Sequence, residues 1–179
     1  MRYLLITANI IIAITFFGCG SKVPIAEVTQ AHPDDRIAGQ WIAPEKKVET
    51  KFESFHVYKF NKKEYLFWYN KENKDSSGLS SFENEFYRFY LLNIGNSNFI
   101  NAQNIKSIDS TKRAYHFYKY EFMSDSSVKL FSLNDKDPIN INDFNNSNDL
   151  YHFLESNLDN KKLYVIQYYV SDSKNDVSV

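Results

Sequence analysis

The side chains able to do chemistry in this chain are few and scattered. It carries four histidines, His32, His56, His116 and His152, and a single cysteine, Cys19. His56 and His116 each stand two residues before a tyrosine, Tyr58 and Tyr118, inside runs rich in aromatic residues. If those faces turn inward, two imidazoles and two phenols line one interior and orient a polar group in an aromatic-walled ligand site. The plainer alternative is four half-buried side chains whose polar tips bond to neighbouring backbone. His32 lies in a polar N-terminal stretch, and His152 sits beside the apolar stripe of a helix. Zinc needs three or four nitrogen, sulfur or oxygen ligands. With no His-x-x-x-His and no cysteine pair, no metal ligand is assigned.

The carboxylates do not form a catalytic pair. Asp34-Asp35 falls in the polar N-terminal stretch, and Glu83 and Glu85 flank a loop. Asp135, Asp137, Asn140, Asn142 and Asp143 make an oxygen-rich loop, but the glycine and closing glutamate of an EF-hand are missing. Neither a Gly-x-Ser-x-Gly elbow nor a glycine-rich phosphate loop occurs. No catalytic residue and no cofactor is therefore expected, and the chain reads as non-enzymatic.

Composition narrows the partners. The net charge of −1 and the lack of a basic stripe speak against nucleic acid, which is bound by displacing counterions with Lys and Arg. A lone cysteine excludes an internal disulfide. The chain of 179 residues suits one domain and a leader. The aromatic content, 13 Tyr, 15 Phe and 2 Trp, suits the pleated surfaces of a small β domain.

The elements that would position these residues are mostly strands. Short aromatic and β-branched runs at residues 37–43, 52–60, 64–69, 85–94, 98–103, 114–123, 128–133 and 163–170 give eight candidates. Residues 61–63, Gly95-Asn96 and residues 124–126 make hairpin turns between them. The polar stretch 71–81 reads as a loop. In 114–123, Lys119 and Glu121 fall on one face, with His116, Tyr118, Tyr120 and Phe122 on the other. Residues 147–158 are the one helix, with Ser147 as its cap and Leu150, Phe153, Leu154 and Leu158 along one side. Antiparallel hairpins without βαβ alternation predict a mainly β fold, an eight-stranded barrel or a sandwich with the helix packed on it. Stretches such as residues 86–92 are aromatic on both faces, so their outer side must meet the helix or a partner.

Two resemblances add to this. Arg2, an uncharged and largely apolar run, then Gly18 before the sole Cys19 resembles the signal peptide of a bacterial lipoprotein. That implies a leader over residues 1–18, acyl chains on Cys19, a lipidated tether over 19–35, and a domain outside the cytoplasm, held at a cell membrane or outer membrane. An uncleaved anchor is the alternative, but Thr7, Asn9 and Thr15 interrupt a run already short of the about 20 residues a span needs. Gly39-Gln40-Trp41 is similar to the signature that opens the first strand of lipocalins and related calycin barrels. The resemblance implies an up-and-down barrel over residues 36–172, Trp41 plugging its closed end, and a cavity for a small apolar ligand. Residues 173–179 read as a frayed tail, and an envelope protein is the other partner to expect.

Overall fold

The structure, a computed structural model, describes residues 20–42, 54–74, 80–106, 113–133 and 141–171. Eight antiparallel strands pair in chain order: β1 (Gly39–Ile42), β2 (Ser54–Lys59), β3 (Glu64–Lys74), β4 (Ser80–Ile94), β5 (Ser97–Asn104), β6 (Tyr115–Ser124), β7 (Ser127–Leu133) and β8 (Tyr164–Ser171). Trp41 and Ile42 of β1 pair with Ser171 and Val170 of β8, which closes the sheet into a barrel. Closure satisfies backbone groups that an open sheet would leave along its edges. The architecture is lipocalin-like, and among the described residues one α-helix lies between the last two strands.

The barrel has two unlike ends. At the base the connections are tight: residues 60–63, Gly95-Asn96 and Asp125-Ser126. At the other end, here called the mouth, the longer connections leave. The β3–β4 ladder runs unbroken from Glu64↔Tyr90 to Lys74↔Ser80, so most of the stretch expected as a loop over 71–81 is strand. Its Asn, Lys and Ser residues carry no apolar signal, yet an antiparallel ladder needs only backbone to continue.

Alternation sorts side chains into two cores. Phe55, Val57, Tyr65, Phe89, Leu91 and Ala102 are among those filling the interior. Tyr90, Leu92, Ile94, Phe99 and Phe117 face outward from β4, β5 and β6, where the helix α1 (Ser147–Ser156) covers them with Leu150 and Leu154. Asn146, one residue before the expected cap, closes the start of α1 by accepting from the Asp149 N–H at 2.9 Å. Asparagine and serine cap about equally well, so composition alone could not choose between neighbours.

The rest of the outer core is covered by residues 20–34, which corrects the expectation of a spacer over 19–35. This segment is a strap that runs from mouth to base across β6, β5 and β4. Ser21 exchanges both backbone hydrogen bonds with Tyr115, each at 2.8 Å. The Ile25 N–H donates to Oδ1 of the buried Asn101 at 2.8 Å, and Tyr90 donates its hydroxyl to the Ala26 carbonyl at 2.5 Å. The His32 N–H donates to the Leu91 carbonyl at 2.8 Å, at the height where β3 has ended. Ile25 and Ala26 sink into the outer core. Burying an isoleucine stabilises by about 1.5–3 kcal/mol, enough to offset the backbone entropy of only one or two fixed residues, so the hydrogen bonds and the other buried contacts of the strap must supply the rest. The expected leader 1–18, Cys19 and the expected tail 173–179 lie outside the described residues.

Candidate functional site

The base is built first by the chain, and it is sealed. After the strap, a 3-10 turn, Asp35–Ile37, crosses beneath the barrel. Asp34 caps it by accepting from the Arg36 N–H at 3.1 Å, and the Arg36 guanidinium binds the same carboxylate at 2.7 Å, which holds the Asp34 carboxyl below its usual range. Arg36 also lies 4.3 Å over the Phe122 ring. Gly39 opens β1 at φ +131°, a conformation that a residue with a Cβ rarely takes. Two residues on, Trp41 is 1% exposed, its Nε1–H donating to the Ile37 carbonyl at 2.9 Å and its ring 6.3 Å from Phe122. Trp41 thus stands in the inner core at the closed end, joined to the turn that shuts it.

Above it lies a cavity of about 70 Å³, lined by Ile37, Phe55, Val57, Ile100, Ala102, Val128 and other apolar side chains. Its polar groups are phenols. Tyr69, Tyr87, Tyr118 and Tyr169 all border it. Tyr69 and Tyr87 stack at 6.4 Å, and His116 meets the Tyr87 ring edge-on at 5.6 Å. Burial pushes the hydroxyls of Tyr69 and Tyr118 well above the usual phenol range and raises that of Tyr87, and the charge of Glu85 adds to this at Tyr69 and Tyr87. Burial lowers the His116 imidazole instead. Both shifts favour the uncharged form. At neutral pH this interior is apolar, with protonated phenols and a neutral imidazole toward the mouth. Glu85 and Asn104 stand nearest that end, with Asn104 Nδ2 donating to Glu85 at 3.0 Å.

Of the four residues expected to share a ligand site, the structure brings two together. Tyr118 lines the cavity and His116 faces the same interior beside Tyr87. His56 and Tyr58 do not join them, and their inward placement is corrected: in β2 it is Phe55 and Val57 that face in. Tyr58 is 53% exposed, and His56 stacks outside the barrel on Trp68 at 5.0 Å. The residues 52–60 are aromatic at both parities, so pattern could not fix which face is inner; the register Val57↔Phe67 does. Sequence reasoning missed Tyr69 and Tyr87. They oppose each other diagonally across the β3–β4 hairpin, and its pairing, two strands joined by a short polar loop, is the signal that could have found them.

Comparison with family models, curated proteins and solved structures finds no match for this chain. The site is therefore read from its own geometry. Among the described residues, no three His, Cys, Asp or Glu side chains converge as a metal site. No helix among them is long and apolar enough to cross a membrane. A wider groove of about 440 Å³ lies outside the barrel, between the strap and α1, bordered by Glu27, Gln30, Asn93 and His152. It is open and mixed in polarity, whereas the interior cavity is apolar with hydroxyls gathered on one side, the usual character of a small-molecule site.

Proposed function

We propose that this protein is a membrane-anchored, non-enzymatic bacterial lipoprotein whose lipocalin-like barrel binds a small apolar molecule in its interior. The observation that carries the reading is the 70 Å³ apolar cavity walled by Phe55, Val57 and Ala102 with Tyr69, Tyr87 and Tyr118 at its polar side. Ligand pockets for drug-sized molecules run to ~300–1,000 Å³, so the occupant is a few carbon atoms in size, or the end of a longer chain. It is uncharged, because the groups around it are held neutral and offer a charge no partner. The leader and Cys19 supply the anchor, since two acyl chains hold a protein stably where one holds it marginally.

The test is native mass spectrometry of protein purified from membranes. A bound small apolar species is expected, lost or reduced in Ala102→Phe, whose new ring fills the cavity. Protein free of any such species, in both forms, contradicts the reading. Incorporation of labelled fatty acid, lost in Cys19→Ala, tests the anchor separately.

One observation favours a second reading, an envelope module that docks a protein on its outside. His56, Trp68 and Phe86 lie side by side across β2, β3 and β4, and Tyr58 and Phe86 are exposed. If the purified protein carries no ligand but pulls down an envelope protein through Trp68, that reading prevails.

A further inference from the structure

A lipid anchor at Cys19 would hold one particular end of the barrel at the membrane, because the strap leaves no slack. Ser21 is bonded on both sides of its backbone to Tyr115, the first residue of β6, at the mouth. Gly20 lies against the rim itself: a Cβ there would stand 2.3 Å from the Cβ of Ala114 and 3.6 Å from Cε1 of His116, an inward-facing residue. Only glycine fits so close an approach. Cys19 is one peptide bond further on, which keeps its Cα about 3.8 Å from that of Gly20. Beyond Ser21 the chain is fastened at Ile25, Ala26 and His32 before it reaches the base. The length of β6, 10 residues, at ~3.3 Å each and tilted by ~40°, sets base and mouth about 20–25 Å apart.

We propose that the barrel sits mouth-down on the bilayer that takes up its acyl chains, with the tight turns and the Trp41 plug facing away. The proposal rests on the lipid-anchor reading above. Exposed apolar side chains stand near both ends, Val165 and Ile166 toward the mouth and Phe60 and Met123 toward the base, so they do not choose between ends. The attachment point does. The occupant of the mouth face is thus the lipid surface itself.

The full-length acylated protein is reconstituted in phosphatidylethanolamine–phosphatidylglycerol vesicles containing a headgroup spin-labelled lipid. A thiol-reactive dye is placed at the mouth by Lys106→Cys or at the base by Asn96→Cys; acylated Cys19 does not react. Quenching several-fold stronger at residue 106 than at residue 96 is expected. Inserting about 20 Gly/Ser residues between Cys19 and Gly20 should abolish that difference while the protein still floats with the vesicles. Equal quenching at both positions, or stronger quenching at residue 96, overturns the orientation. A protein that takes up no fatty acid, reacts with dye at Cys19 and fails to float overturns the anchor reading instead, and the orientation with it.

Discussion

The barrel has two apolar cores, and the apolar cavity of about 70 Å³ lies within the inner one. The inner core is walled by strands, whose backbone ladders fix the distance across it; alternate side chains must fill that space as they can. Its aromatic pairs, such as Phe55 with Phe67 at 4.9 Å and Tyr65 with Phe89 at 5.2 Å, leave about 70 Å³ unfilled. The outer core has one wall of strands and two covers laid over it, α1 and the strap, with the open groove between the covers at its edge. There Ile94, Phe99, Leu150 and Leu154 are wholly buried. A closed wall can preserve a void, whereas a cover tends to close one, because close packing gains dispersion contacts that a gap forfeits. The comparison favours the inside as the place for the proposed ligand and gives the outside a structural part.

The largest effect on this division should come from the plug. Trp41→Ala opens a cavity at the base, removes the bond to the Ile37 carbonyl and is expected to cost about 3–5 kcal/mol in urea denaturation. Leu154→Ala, in the outer core, should cost about 2–4 kcal/mol yet leave the affinity of the interior for the proposed ligand unchanged. If that variant binds more weakly in proportion to its lost stability, the two cores are not separable.

Asn101→Ala addresses the strap. Asn101 is fully buried, with Oδ1 holding the Ile25 N–H, and its Nδ2 has no partner among the described residues. Removal strands the Ile25 N–H, so a loss of about 1–3 kcal/mol is expected. Hydrogen exchange at Ile25 should accelerate while exchange at inner-core positions such as Val57 stays slow.

The smallest effect is a pH dependence at His116. Burial lowers its folded pKa below the unfolded 6.5, so on acidification the unfolded state takes up the proton first. The neutral interior is thus fully stabilised above about pH 6.5, and stability falls as pH drops from there toward the folded value. His116→Gln should flatten that part of the profile in denaturation measured from pH 7.5 to 5; a profile identical to wild type shows the imidazole is solvated.

How much of this was legible in the sequence differs between the same two regions. The strands, their order and the tight turns could be read, because β-branched and aromatic runs punctuated by Gly95-Asn96 and Asp125-Ser126 carry their own signal. Tyr118, Tyr120 and Phe122 could be placed inside because Lys119 and Glu121 mark the opposite face of β6. In β2 the one charge, Lys59, shares the parity of the inward Phe55 and Val57, so the marker that served in β6 points the wrong way, and the expected site was split. The strap was illegible for another reason. Ile25 and Ala26 are two apolar residues in an aperiodic, proline-containing stretch, and what holds them is a bond to Asn101, 76 residues away. Local pattern does not report such a partner.

The central claim, that the interior is the hollow compartment and the outer core is solid, is tested most directly with xenon. Methyl resonances are followed by NMR in the unmodified protein as xenon pressure rises, since dry apolar cavities take up this atom. Val57, Ile100 and Val128, which line the cavity, should shift and saturate, while Leu150 and Leu154 should not. Silent inner methyls, or saturating shifts at the leucines of α1, would contradict the account.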